Sequence, residues 1–314
     1  MAPELSVIIP IFNEEECIVP LYEELHEVLT NQALSHEIFF VDDGSTDNSF
    51  SLLQGLHSHD QNIKIIKFRS NFGQSAAMKA GFDYATGDII ITMDGDLQND
   101  PHDIPALIDK LRKEDLDVVC GWRKNRNDPW MKKRFSRFAN RLRTSLTGET
   151  IHDSGCTLRA YVHDSVKNIE LYGELHRYIP AMLLWRGYHI GEIVTNHRDR
   201  TLGKSKYNWK RLTKGLLDLL VVTFWQKYSA RPMHIFGGVG MILGLIGFVS
   251  LIWLLFLRLI YGDPLLEKPV FFISFFLLII AIQFFAFGIL ADISMKVYHR
   301  ENDRRLYLID RVIE

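Results

Sequence analysis

Cysteine is scarce. The 314 residues hold three, Cys17, Cys120 and Cys156, far apart and without a CxxC pair. That argues against a disulfide framework and a thiolate zinc site, and it fits a reducing compartment. Net charge is scarce too. A formal charge of -2 excludes a bulk polyanion binder, nucleic acid included, so any anion site must be a local cluster of Lys and Arg. The opening MAPELSVIIPIFNEEE has no basic leader, and its apolar run is too short for a signal peptide, so the folded part is expected in the cytosol. Internal repeats and low-complexity stretches are missing as well. Long apolar runs are present, but only in the last third. A mean hydropathy near zero averages them against a charged first two thirds.

Runs rich in Val, Ile and Phe at 5–11, 37–41, 63–68, 89–93 and 117–120 read as strands. Helical stretches lie near 15–30, 46–58, 74–86 and 102–114, and Ser45 or Thr46 caps the second. This order predicts an α/β domain, a Rossmann-like and mostly parallel sheet with helices on both faces. Ligands of such sheets bind beyond the carboxyl ends of the strands. Polar clusters fall there: Asn13-Glu14, Asp42-Asp43-Gly44 and Asp94-Gly95-Asp96. From 122 to 207 the pattern is mixed, with a basic, aromatic helix over 130–146, a helical stretch through 184 and a strand near 188–196.

Asp94 and Asp96 stand two apart after an apolar strand, where a turn brings both to one hard cation, Mg²⁺ or Mn²⁺. Such an ion neutralises a diphosphate leaving group. Asp42 also closes a strand. It serves equally as an acceptor for a ribose or base edge and as part of a turn and helix cap with Gly44 and Ser45. Further on, Arg198, Arg200, Lys204 and Lys206 lie around Gly203. That loop suits phosphate groups, and it would also be drawn to anionic lipid headgroups.

Residues 208–226 have helical spacing. Trp209, Leu212, Leu216, Leu219, Leu220 and Phe224 share one face, and Lys210, Arg211, Lys214 and Asp218 the other. A basic amphipathic helix flanked by Trp suits a membrane surface. Two apolar runs follow, 235–257 and 270–291, each roughly long enough to cross a hydrocarbon core. Their short connection predicts a transmembrane hairpin. The outer flanks carry Lys227, Arg231, Lys296, Arg300, Arg304 and Arg305, against Arg258 and Lys268 in the connection, so both flanks are expected in the cytosol. The expected division is a catalytic domain over 1–207, an interfacial helix and linker over 208–231, the hairpin over 232–295 and a cytosolic tail over 296–314. Gly240, Gly244 and Gly247 offer a small-residue face through which a homo-oligomer could form.

VIIPIFNEEE, VDDGSTDNS, NFGQSAAMKAGFDYATGD and MDGDLQNDP, in this order, resemble family 2 glycosyltransferases of the GT-A fold. HDSGCTLRAY, ELHRYIP and HRDRTLGKSKYN are similar to the polyprenyl-phosphate branch, which includes dolichol-phosphate mannose synthases and bacterial relatives. The resemblance covers about 1–226. It implies that Pro10, Phe12, Glu14, Asp42 and Asp43 hold the nucleotide, that Asp94 and Asp96 bind the metal with Gly95 and Gln98 beside them, and that Arg123 lies near the donor. It further implies that Arg200, Ser205 and Lys206 gather phosphates. Phe12 stands where Tyr is common, and Gly95 replaces a frequent Ala, a change expected to matter little. Asp153 either takes the acceptor's proton or orients a substrate. A phosphate monoester is largely dianionic at neutral pH and needs little help from a base. Cys156 reads as packing. His176 and Arg177 read either as substrate contacts or as structural residues.

The implied reaction moves a hexose from a nucleotide-sugar to a dolichyl or undecaprenyl phosphate with inversion, at the cytosolic face of the cell membrane, or of the ER membrane in a eukaryote. GDP-mannose is the favoured donor and UDP-glucose the next. Two rivals stand beside it. A processive polysaccharide synthase would need a QxxRW motif and more spans, and neither is present. A membrane scaffold that binds a nucleotide-sugar without transferring it would not need the acidic pair.

Overall fold

The computed structural model describes residues 3–32, 34–124, 143–198, 219, 221, 223–224, 232–262, 264–298 and 309–313. Two compact units emerge, Met1–Val222 together with Arg305–Glu314, and Thr223–Arg304.

The first unit is built on an eight-stranded sheet in the order β7-β5-β6-β4-β1-β2-β3-β8. The strands are β1 (Leu5–Ile11), β2 (His36–Asp42), β3 (Ile63–Phe68), β4 (Ile89–Thr92), β5 (Val118–Trp122), β6 (Arg159–Val162), β7 (Ile190–Val194) and β8 (Ile309–Ile313). β1 pairs in parallel with β2 on one side and β4 on the other. Among the described strands, only β6 and β8 run antiparallel to their neighbours. β1 reads LSVIIPI because both faces of a central parallel strand are covered. Alternate residues feed two cores. Ile8, Phe39, Val41 and Ile66 pack with Ala77, Met78 and Phe82 of α3 (Gln74–Tyr84). Val7, Ile9, Ile38 and Phe40 pack with Leu21, Leu25 and Leu29 of α1 (Ile18–Asn31) and Leu107 and Leu111 of α4 (Ile104–Lys113). α2 (Ser49–His59) adds Leu53 to the second core.

The expected strands and the first four helices appear with shifts of a few residues at their ends. Two strands were not foreseen. β6 is four residues long and opens on Arg159, a charged residue at a fully buried position. β8 lies in the segment read as a tail, yet its backbone pairs with Ile65–Phe68 of β3. The expected helix over 130–146 and interfacial helix over 208–226 lie mostly outside the described residues.

The second unit holds two apolar helices, Met233–Tyr261 and Pro269–Tyr298. At 1.5 Å per residue they are about 44 and 45 Å long, enough to cross a bilayer core. Large apolar side chains face outward along them, Met241, Leu245 and Leu259 being 66%, 63% and 78% exposed. A soluble core helix would bury these groups. Gly240 and Gly247 line the contact between the two helices. A Cβ on Gly240 would stand 3.0 Å from the Ala281 carbonyl oxygen, and one on Gly247 2.8 Å from that of Ser274. These small residues let the helices of one hairpin approach closely.

Candidate active site

β1 is the switch point of the sheet, with β2 on one side and β4 on the other, so the crevice beyond their carboxyl ends is where a doubly wound sheet takes its ligand. Three loops meet there. The loop after β1 is tied to the loop after β2. The amides of Asn13 and Glu14 donate to the Ser45 and Ser49 hydroxyls at 3.0 and 3.1 Å, and the Thr46 amide donates to Asn13 Oδ1 at 2.8 Å. Asn13 has φ +53°, a left-handed conformation its short polar side chain tolerates. Pro10, Phe12 and Glu14 are partly buried along this rim.

Asp42 is fully buried at the end of β2. Its Oδ1 accepts from the Ser45 amide at 2.9 Å, which is the turn-and-cap role. Its Oδ2 is buried without a hydrogen-bond partner among the described residues. Native structures leave few such atoms, and each calls for an explanation, an absent ligand among them. Asp43 is committed elsewhere. Its two oxygens accept from the amides of Phe72 and Gly73 at 2.7 and 2.9 Å, holding the turn before α3. Burial pushes its carboxyl up to about 6, against those two hydrogen bonds.

Asp94, Gly95 and Asp96 follow β4. Burial, and next the charge of Asp96, raise the Asp94 carboxyl, and hydrogen bonds from Thr157 and Gln74 and the charge of Arg123 only partly offset them. Gln74 Nε2 donates to Asp94 Oδ1 at 2.7 Å, and the Asp94 amide donates to Asn99 Oδ1 at 2.9 Å. The Gln98 amide donates to Asp96 Oδ1 at 3.2 Å across a turn in which Leu97 takes φ +62°. Left-handed backbone at a leucine costs about 1–2 kcal/mol. Two neighbouring carboxylates, one raised by the other, have the donor chemistry that a hard divalent cation relieves, so these residues fit such an ion.

A second acidic group, Glu24, Asp100 and His102, brings its ligand atoms within 4.8 Å of one another. Arg198 accounts for it, standing 2.7 Å from Glu24 and 2.9 Å from Asp100. Arg198 is thereby bound to carboxylates, contrary to its expected place in a phosphate loop. Arg200, Lys204, Ser205 and Lys206 lie outside the described residues.

Arg123 and Asp153, read separately in the sequence, form a fork-like pair. Arg123 Nε reaches Asp153 Oδ2 at 2.7 Å and Nη2 reaches Oδ1 at 2.9 Å. Arg123 is held above its ordinary range by Asp153, which outweighs the desolvation of burial. A carboxylate clasped this way is a poor proton acceptor, which favours the orienting role for Asp153. Gly155 makes room, since a Cβ there would lie 3.1 Å from Arg123 Nη2. Cys120 and Cys156 are buried free thiols pushed by burial up to about 12 and about 11, consistent with packing.

Sequence reasoning missed several supports. Arg159 donates to the carbonyls of His176 and Ser154 at 3.1 and 2.6 Å. His176 is buried, and Ser75 Oγ accepts from its amide at 3.1 Å and lies 2.9 Å from its Nδ1, which assigns it a structural place. Trp122 stacks on His152 with centroids 4.3 Å apart, and His152 pairs with Glu192. Gln74 had a signal, because it opens α3 inside the NFGQS motif. The partners of His152 come from distant segments and left none, and those of Arg159 are backbone carbonyls, which no residue type marks.

Residues 6–170 match the model of the glycosyl transferase family 2. A dodecaprenyl-phosphate galacturonate synthase from Rhizobium johnstonii is 38% identical over 99% of this chain and 93% of that protein. An undecaprenyl-phosphate 4-deoxy-4-formamido-L-arabinose transferase from Proteus mirabilis is 33% identical over 99% of this chain and 94% of that protein. Among solved structures, glucosyl-3-phosphoglycerate synthase from Mycobacterium tuberculosis, in complex with Mn²⁺ and UDP-glucose, superimposes with a TM-score of 0.54 at 17% identity, over 70% of this chain and 79% of that one. The match extends to the GT-A fold. The chain therefore belongs to glycosyltransferase family 2. It is a glycosyltransferase whose similar relatives are named as polyprenyl-phosphate sugar transferases.

Proposed function

We propose that the chain transfers a sugar from a UDP-sugar to a polyprenyl phosphate. The observation that carries this reading is the crevice at the β1/β4 switch point, where the acidic pair Asp94 and Asp96 and the buried Oδ2 of Asp42, unpartnered among the described residues, stand in one strand-end rim. The acceptor class rests on the near full-length likeness to the two prenyl-phosphate transferases.

The donor expectation changes. The sequence favoured GDP-mannose, but these relatives are named for galacturonate and 4-deoxy-4-formamido-L-arabinose. A uridine-linked donor, second in the sequence reading, takes its place, with a galacturonate-type sugar as the first candidate.

Asp42 would accept from the base or ribose through Oδ2, with Pro10, Phe12 and Glu14 lining the same rim. Asp94 and Asp96 would hold Mg²⁺ or Mn²⁺, which supplies positive charge to the departing diphosphate. Arg200, Ser205 and Lys206 would gather the phosphates, and Arg123, fixed by Asp153, would add charge beside them. An oxygen of the lipid phosphate attacks the sugar's C1. The bond from C1 to the diphosphate oxygen breaks, the nucleoside diphosphate leaves with the electron pair, and the anomeric centre inverts.

The apolar hairpin would anchor the chain in the bilayer that contains the acceptor. Connectivity supports a two-span anchor with both ends on one side, because β8, after the second apolar helix, returns to pair with β3. By the charge of the flanks that side is the cytosol.

The test is transfer by the purified full chain in detergent with a short polyprenyl phosphate and Mn²⁺. UDP-galacturonate, UDP-glucose and GDP-mannose would be offered separately, with lipid-linked sugar read by mass spectrometry. Product from a UDP-sugar is expected. Product from GDP-mannose alone overturns the donor reading. Nucleotide binding without product from any donor favours a binding scaffold.

A further inference from the structure

We propose that Gln74 is the positioning residue of the acidic pair, orienting Asp94 for the divalent ion without cancelling its charge. The inference rests on the metal reading above and adds a residue to it. Gln74 Nε2 donates to Asp94 Oδ1 at 2.7 Å, and both groups are partly buried. The donor is itself held from both sides in sequence. Before it, Gly73 sits at φ +94°, a backbone that side chains other than glycine's rarely adopt, and the Phe72 and Gly73 amides are both bound by Asp43. After it, Ser75 is locked to His176. The first turn of α3 is thus pinned to β2 through Asp43 and to the Leu175–Tyr178 turn through Ser75, and Gln74 projects from it to β4.

The amide matters chemically. A Lys or Arg at this position would also donate to Asp94, but its charge would neutralise the carboxylate and compete with the cation. A neutral donor fixes the carboxylate and leaves its charge for the ion. Groups that hydrogen-bond metal ligands in this way commonly change metal affinity by about 10–100-fold when removed. The same turn gives Asp43 a role apart from the nucleotide, as the anchor of Gly73 and so of Gln74.

The experiment titrates Mn²⁺ into the full chain in detergent at saturating UDP, with free Mn²⁺ read by electron paramagnetic resonance. Thermal unfolding and metal-free UDP binding are measured on the same samples. Gln74→Met should weaken Mn²⁺ binding by about ten- to a hundredfold while UDP binding and the unfolding midpoint hold. Gln74→Lys should lose Mn²⁺ more completely, though it restores a donor. A purely structural hydrogen bond would instead be rescued by Lys, so Mn²⁺ affinity near wild type in Gln74→Lys overturns the proposal, even if Gln74→Met folds poorly. Unchanged Mn²⁺ affinity in Gln74→Met overturns it too. Asp96→Asn separates the two readings. If it abolishes Mn²⁺ binding while Gln74→Met does not, only the role of Gln74 falls. If it also leaves Mn²⁺ binding intact, the metal site itself is misplaced.

Discussion

Strand β2 carries a buried carboxylate near each end, Glu37 and Asp42, in opposite circumstances. Glu37 is saturated. It accepts from the Ser6 hydroxyl at 2.6 Å, the Thr86 amide at 2.7 Å, the Thr86 hydroxyl at 3.0 Å and Lys64 Nζ at 2.7 Å. Burial alone would raise its carboxyl, but Lys64, Ser6 and Thr86 together bring it below the ordinary range. Asp42, at the other end, has among the described residues one donor, to Oδ1, and none to its buried Oδ2. The carboxyl edge also carries the raised Asp94, the left-handed Asn13 and the left-handed Leu97. Satisfied polar groups stabilise a fold. Unsatisfied and strained ones persist where a ligand completes them. On β2 the unsatisfied carboxylate oxygen lies at the end where the switch point of a doubly wound sheet takes its ligand.

The largest effect expected from breaking this contrast is on turnover. Asp96→Ala should lower sugar transfer by at least about a hundredfold, the scale of losing one transition-state charge stabiliser, while the unfolding midpoint stays within a few degrees. Full activity in that variant, measured with a UDP-sugar, would remove the carboxyl edge from the chemistry. At the opposite edge the order should invert. Glu37→Ala leaves two hydroxyls, an amide and Lys64 without their shared acceptor and should cost about 2–4 kcal/mol. That is seen as a lowered unfolding midpoint, with transfer per folded molecule unchanged.

Asp42→Asn sharpens the comparison on a single strand. It replaces a buried, half-satisfied carboxylate by a neutral amide whose oxygen can still accept from the Ser45 amide, so stability should hold or rise slightly. Donor KM should rise about tenfold, the cost of about 1.4 kcal/mol in a hydrogen bond to ligand. A drop in stability with unchanged KM would make Asp42 a turn residue only.

Two groups of this sheet oppose each other in acid. Glu37, with a depressed folded value, contributes stability that is complete above its unfolded value and is lost as pH falls through the folded one. Asp43, pushed up to about 6, works the other way. Its ionisation penalises the fold above about 6, the penalty vanishes below the unfolded value of 3.8, and stability falls as pH rises between them. Asp43→Asn should flatten the midpoint against pH across that window, and Glu37→Gln should flatten the acid limb below it.

Much of this contrast was legible in the sequence, for a physical reason. Strands buried on both faces write themselves as apolar runs, and Asp42, Asp94 and Asp96 stood out because carboxylates directly after such runs must face the ligand edge. The opposite edge was silent. Glu37 looks like an ordinary strand-start glutamate until the fold brings Ser6, Lys64 and Thr86 around it. β6 was hidden by Arg159, whose backbone-carbonyl partners lie in other segments. β8 was hidden by a charged tail. Arg198 looked like a phosphate ligand until Glu24, 174 positions away, came beside it.

The smallest effect concerns Gly95, between the two acidic residues. The sequence reading took the exchange with Ala as nearly neutral. In the fold, a Cβ at Gly95 would stand 2.5 Å from Ile11 Cδ1 and 3.2 Å from the Pro10 carbonyl oxygen. The first contact is the far end of a side chain that can turn, and the second is backbone at the nucleotide rim. Gly95→Ala should therefore cost about 1 kcal/mol through overpacking, read as a slightly lowered unfolding midpoint. Adding Ile11→Val, which deletes the colliding methyl, should recover most of it. Recovery would assign the cost to the core side of the acidic loop. A loss that persists in the double variant, with a raised donor KM, would assign it instead to the Pro10 carbonyl and extend the strained carboxyl edge to the backbone of β1.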